Sequence, residues 1–229
     1  MKKFYPVLLL LLCFTVNAQT VNIPDANFKQ FLLNHVPVID VNNDDEIQVS
    51  EALAVTELFA TSANIADATG IQAFTNLTLL NLSDNSLSTI NINGLVNLSL
   101  LNVDSNALTS IDFGNVTAIW TLGLGNNQLT TLDLSGMSIG MVGCPNNALT
   151  SIDLTGADIQ ELRCQDNMLT QLNLSDLENL TEINCNNNQL IALGFLNNPI
   201  LTTVDCTDNP IMTLDFSQNP SLFEISVFN

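Results

Sequence analysis

The sequence predicts a solenoid of short stacked coils, with one parallel strand per coil forming a continuous concave sheet. Three observations predict it. Seven asparagines, Asn85, Asn106, Asn127, Asn147, Asn167, Asn188 and Asn209, recur at intervals of 20 or 21 residues. Each stands in the same apolar frame, as in Leu77-x-x-Leu80-x-Leu82-x-x-Asn85-x-Leu87 and Leu180-x-x-Ile183-x-Cys185-x-x-Asn188-x-Leu190. A second apolar pair follows the asparagine turn in several coils: Ile111-Asp112-Phe113, Leu132-Asp133-Leu134, Ile152-Asp153-Leu154 and Leu214-Asp215-Phe216.

The coils begin at Val55, Leu77, Leu98, Ile119, Ile139, Ile159, Leu180, Leu201 and Leu222; the first is degenerate, with Ala60 and Ala63 in place of a larger apolar residue and the asparagine. Within a coil, Leu80 and Leu82 alternate along a strand, so both face inward while Asn81 faces out. One coil cannot bury its apolar edge alone, but a stack buries a continuous core. Where the chain leaves the strand its amides and carbonyls need partners. An inward asparagine has both donors and acceptors and can bond the backbone of the neighbouring loop. Coils of 20 to 22 residues leave little room for a helix, so the convex side should be extended or 3₁₀.

This frame resembles the leucine-rich-repeat family, L-x-x-L-x-L-x-x-N/C-x-L, from about residue 55 to the C-terminus. The short coils are most similar to the internalin-like surface proteins of bacteria. The resemblance implies a leucine-rich-repeat solenoid with a concave parallel sheet, an asparagine ladder and a binding role. A parallel β-helix has coils of similar size and inward asparagines, and several β-helix proteins are polysaccharide lyases; the strict leucine frame argues against it.

Residues 1–18 read as a secretory signal peptide. Lys2 and Lys3 precede an apolar stretch from Val7 to Phe14, too short to span a bilayer, and Val16-Asn17-Ala18 leads to cleavage before Gln19. Leu12 stands before Cys13, where lipidation wants a small residue. The location implied is secreted or cell-surface.

Residues 19–54 supply a helical N-terminal cap, with Phe28, Phe31 and Leu32 on one face and Asp25 as helix cap. After it, Asp40-x-Asn42-x-Asp44-Asp45-Glu46-Ile47-x-x-x-Glu51 resembles an EF-hand loop. The resemblance implies a structural calcium ion held by Asp40, Asn42, Asp44, the Glu46 carbonyl and both oxygens of Glu51, with Gln48 acting through water. Asp45 departs from the family's glycine at the sharp turn. The competing reading is an acidic turn between cap elements. At the other end the sequence stops inside its ninth coil, at Asn229. Self-association through an uncapped edge is one expectation from that.

Charge narrows the partners. There are 4 Lys and Arg against 23 Asp and Glu. Cleavage after residue 18 leaves Lys29 and Arg163 as the basic side chains, a formal charge of −21. Such a surface repels nucleic acid and anionic membrane and favours basic proteins, cations or neutral ligands. The same charge is also sufficient simply to keep an exported protein soluble.

Cys144, Cys164, Cys185 and Cys206 share one inward position on four successive coils. At about 4.8 Å per coil four sulfurs in a row cannot surround a zinc ion at about 2.3 Å. Buried thiols acting as small core residues are the favoured reading; disulfides between neighbours are geometrically permitted. No enzyme is expected: the single histidine, His35, lies in the cap, and no nucleophile elbow, zinc-binding pair or phosphate loop is present.

The concave face is the expected binding surface. Its third frame position runs Glu57, Leu79, Leu100, Thr121, Met141, Glu161, Glu182, Thr203, Glu224, apolar in the middle and acidic at the ends. The single tryptophan, Trp120, lies beside it, and Gly123, Gly125, Gly143 and Pro145 keep the sheet low there. Leu79, Leu100, Trp120 and Met141 are therefore expected to contact a protein ligand, with Glu161, Arg163 and Glu182 at the rim. A structural spacer and a carbohydrate-binding solenoid are the alternatives.

Overall fold

The computed structural model describes Gln19–Val227; residues 1–18, where a signal peptide is expected, and the final two residues lie outside the described residues. Nine short strands form one parallel sheet, one strand per coil. They are β1 (Glu57–Phe59), β2 (Leu79–Asn81), β3 (Leu100–Asn102), β4 (Ala118–Gly123), β6 (Ser138–Gly143), β8 (Asp158–Arg163), β9 (Glu182–Asn184), β10 (Thr203–Asp205) and β11 (Glu224–Ser226), in that spatial order. This is a leucine-rich-repeat solenoid, as the frame predicts. The register follows the frame residue for residue: Glu57, Leu79, Leu100, Thr121, Met141, Glu161, Glu182, Thr203 and Glu224 are successive partners. Between them the inward residues Leu58, Leu80, Leu101, Leu122, Val142, Leu162, Ile183 and Val204 are fully buried. A one-residue slip in any coil would turn that apolar column to solvent, so the register is set by burial.

The asparagines hold the turns. Asn127 donates to the carbonyls of Val103 (3.0 Å), Leu124 (3.1 Å) and Gly125 (3.0 Å), and its Oδ1 accepts from Leu108 N (3.0 Å). Val103 and Leu108 belong to the preceding coil, so each asparagine closes its own turn and ties it to its neighbour. Asn106, Asn147, Asn167, Asn188 and Asn209 repeat the pattern. The residue before each is left-handed: Asp84, Ser105, Asn126, Asn146, Asp166, Asn187 and Asp208 have φ between 50° and 58°. Asn, Asp and Ser dominate there because short polar side chains tolerate that region best.

The convex side is more regular than an extended or 3₁₀ path. A 3₁₀ turn occurs at Ile71–Ala73, but β5 (Thr131–Asp133) and β7 (Ser151–Asp153) pair in parallel as a second sheet, with Leu132 opposite Ile152. These are the second apolar pairs of the two 20-residue coils, which bring equivalent convex residues into ladder register. Further along, Asn198 and Asn219 form a second buried polar column, Asn198 donating to Leu174 O and Leu177 O and Asn219 to Phe195 O and Asn198 O.

The cap consists of α1 (Ala26–Leu33) and the single turn α2 (Val49–Ala52). Phe28 and Leu32 are fully buried, whereas Phe31 is half-buried with its ring edge against His35. Asp25 caps α1 through Oδ1 to Phe28 N (2.9 Å). Its Oδ2 accepts from Ala66 N (2.8 Å) and Asp67 N (3.0 Å), joining the cap to the first coil. At the far end, all three residues of β11 are exposed.

Candidate binding face

Three outward columns of the concave sheet meet at its centre. The third-position column carries Leu79, Leu100 and Met141, all half-buried because each leans on its neighbours one strand away. The fifth runs Asn81, Asn102, Gly123, Gly143, Arg163, Asn184. The seventh, just beyond the strands, brings Asp104, Gly125, Pro145 and Gln165 into line. Glycine or proline at both positions on two adjacent coils leaves a trough of about 320 Å³, walled by Asn102 and Asp104 on one side and by Arg163 and Gln165 on the other.

The walls are internally braced. Gly125 N donates to Asp104 Oδ1 at 2.6 Å, and Asp104 N to Asn102 Oδ1 at 2.8 Å. Burial, and then repulsion from Asp84, hold the Asp104 carboxyl above its usual range despite the Gly125 amide. Arg163 sits between two acids, its Nη2 3.2 Å from Glu161 Oε2 and 3.1 Å from Glu182 Oε1. Part-exposed pairs like these contribute little stability, about 0–1 kcal/mol, but they hold the guanidinium over the strands.

Trp120 departs from the expected patch. It is 61% exposed, yet its indole lies against Gly140 on the next strand, where a Cβ would come within 2.7 Å of the ring. Its outer face borders a separate groove of about 300 Å³ lined by Ser138, Asp158 and Gln160 among others. The expected cluster is thus two adjoining surfaces. Leu100 and Met141 edge the trough, Trp120 faces the flanking groove, and Leu79 lies one strand further out. The separation arises because the second frame position precedes the strand centre and Gly140 leaves a gap into which the ring folds. Glu161, Arg163 and Glu182 stand together at the trough rim as read from the frame. Asp104, Gln165 and Gly140 are additions; their signal was the pairing of outward glycines with polar residues one coil away.

The cap loop is a tight turn gathered around Asp40. Asp40 accepts through Oδ1 from Asn43 N (2.8 Å) and through Oδ2 from Asp45 N (3.1 Å), and Asp45 adopts φ 62° at the expected glycine position. The oxygens are otherwise engaged. Gln48 Nε2 lies 3.0 Å from both Asp44 oxygens, Glu51 accepts from Val41 N and Gln48 N, and the Glu46 side chain pairs with Lys29 at 2.7 Å. Among the described residues no three His, Cys, Asp or Glu side chains converge tightly enough to hold a metal. The four ladder cysteines are free, buried thiols, and no helix among the described residues is long and apolar enough to cross a membrane.

This architecture is that of leucine-rich-repeat proteins, and solved structures of that class resemble it. Internalin C2 of Listeria monocytogenes is 22% identical, with a TM-score of 0.76 over 90% of this chain and 94% of that one. A chain of the LRIM1/APL1C complex is 25% identical, with a TM-score of 0.59 over 72% of this chain and 36% of that one. The functional domain of InlJ from Listeria monocytogenes is 21% identical with a TM-score of 0.46; the match covers 92% of this chain but only 61% of that domain. No protein-family model and no curated protein matches the chain.

Proposed function

We propose that the chain is an extracellular or cell-surface interaction module that binds a protein ligand with its concave face. The observation that carries this reading is the in-register column of Leu79, Leu100 and Met141, beside an open trough and an exposed tryptophan. A half-buried apolar centre with a charged rim is how protein-binding surfaces are usually built. The acidic charge favours a neutral or basic protein over nucleic acid or anionic membrane. One of the similar solved chains comes from the LRIM1/APL1C complex, which is consistent with a protein ligand. The lone His35 lies in the cap with its Nδ1 2.8 Å from Pro37 O, and it borders the same grooves as Glu57 and Phe59 at the β1 end of the sheet.

The test is a cross-linking pull-down with the full chain beside Trp120→Ala/Met141→Glu. A protein captured by the parent and lost with the variant supports the reading and locates its face. The same background on both baits favours a spacer, and specific retention on a glycan array favours a carbohydrate-binding solenoid.

We further propose that Asp40, Asn42, Asp44, the Glu46 carbonyl and Glu51 take one calcium ion weakly, as a brace for the cap. The left-handed Asp45 and the amides gathered on Asp40 support it, because the loop already follows the required turn. At ten times its Kd calcium would add about 1.4 kcal/mol, seen as a higher melting temperature in calcium than in chelator. Superimposable melting curves would overturn it.

A further inference from the structure

The trough has an electrostatic character that the concave-face reading does not by itself require. Around it stand Asp84, Asp104, Glu161 and Glu182 against one cation, Arg163, and that cation already touches both glutamates. Among the described residues the other basic side chain is Lys29, which is paired with Glu46 in the cap. Among the described residues Asp104 therefore has no cationic partner. On the opposite wall, Gln165 Oε1 is shut off from solvent with no hydrogen-bond partner. A buried acceptor left unmade costs about 1–3 kcal/mol, but one shut off from solvent is not open to a donor in the trough, so the acceptor such a donor would meet is the Asp104 carboxylate.

The floor is open at Gly143 for reasons the fold does not impose, whereas at Gly123 and Gly125 a Cβ would come within 3.0–3.3 Å of Asn102, Asp104 or Pro145 side-chain atoms. A Cβ on Gly143 would meet nothing closer than 4.0 Å, and the backbone there is not left-handed, so packing does not demand glycine. The walls stand three strand spacings apart, roughly 14 Å between backbones. Their own side chains reduce that below the 10–12 Å diameter of a helix, leaving room for a single side chain or an extended strand. Leu100, Met141 and Pro145 line the approach and offer apolar contact to an aliphatic stem, as long basic side chains use when they lay the stem on apolar surface and extend the charge.

We propose that the trough between Asp104 and Arg163 receives one Lys or Arg side chain from an extended basic segment of a partner protein, its charged head meeting the Asp104 carboxylate. This rests on the concave-face reading and specifies the ligand. Charge complementarity selects the occupant: among the described residues Asp104 has no cationic partner and the one nearby cation is already held by Glu161 and Glu182, which suits a cationic donor and disfavours an acid.

The probe is the peptide acetyl-Ala-Ala-Lys-Ala-Ala-amide, titrated into the ¹⁵N-labelled full chain and followed by amide chemical shifts, beside the same peptide with norleucine for lysine. The lysine peptide should shift Gly125, Gly143 and the Gln165 side-chain amide, less so at high salt, and the norleucine peptide should not. Asp104→Asn and Gly143→Leu should each weaken binding about tenfold or more, while Glu57→Gln, on the same face but outside the trough, should not. If Gly143→Leu fails to fold, Asp104→Asn carries the comparison. Equal responses to the two peptides, shifts spread over the acidic surface, or undiminished binding by Asp104→Asn would overturn the proposal. A partner captured equally by the parent and by folded Gly143→Leu, but not by Trp120→Ala/Met141→Glu, would leave the concave-face reading standing and remove the trough from it.

Discussion

The indole of Trp120 lies against the bare Cα of Gly140, two residues that are 20 apart in sequence and adjacent across β4 and β6. A Cβ on Gly140 would sit 2.7 Å from the ring and 2.8 Å from the Trp120 carbonyl oxygen. Gly140→Ala must therefore lift the ring or shift the strand. Overpacking of this kind costs about 1–3 kcal/mol. Because Trp120 is the only tryptophan, the movement should appear as a change in emission wavelength, alongside a lower melting temperature. An unaltered spectrum would mean that the ring does not rest on Gly140.

The asparagine ladder should be the most sensitive feature of the array. Asn127→Ala removes a side chain that satisfies three carbonyls and one amide in a buried turn. With about 1–3 kcal/mol for each buried group left unpaired, and some relaxation, the loss should be about 3–4 kcal/mol in urea unfolding. Asn209→Ala removes the same pattern at a part-exposed turn near β11, where water can replace it, and should cost about half as much. Equal losses at the two positions would count against water access as the deciding factor.

Asp25 should make the cap acid-sensitive. Burial pushes its carboxyl up, but the amides of Phe28, Ala66, Asp67 and Asn27 together hold it below its ordinary value. A carboxyl depressed in the folded state contributes stability above its unfolded pKa and loses it as pH falls through the folded pKa. The melting-temperature gap between the parent and Asp25→Ala should thus be constant from pH 7 to about 5 and narrow below about 4. At neutral pH it should correspond to at least the ~1 kcal/mol typical of a helix cap. A gap independent of pH would assign the effect to packing instead.

The cysteines should be inert in the folded chain. Burial raises Cys144 to about 12 and Cys206 to about 11, and raises Cys164 and Cys185 as well, each further discouraged by neighbouring sulfurs or acids. At pH 8 the thiolate fraction of Cys206 is on the order of one in a thousand, and that of Cys144 is lower still. A thiol reagent should leave the native ladder unmodified and titrate all four after unfolding. Modification should begin at Cys206, which lies closest to β11. Rapid native reaction at Cys144 would show that the middle coils open readily.

Much of the solenoid is local in origin and so legible in the sequence. The alternation of Leu80 and Leu82, the recurrence of Asn85 and its equivalents, and the need of each coil to bury its edge against the next together dictate strand, turn and register. A repeating frame leaves only one way to stack, so the column from Glu57 to Glu224 follows from counting. What tertiary structure decided lies between coils and on the outside. The fold of Trp120 onto Gly140, the bridge from Asp25 to Ala66, the convex pairing of Leu132 with Ile152 and the trough beside Asp104 each join residues some 20 to 40 apart. Outward side chains carry no burial requirement to fix their direction; they settle according to which neighbour on the next coil is small, charged or able to hydrogen-bond, and that is known only once the coils are stacked.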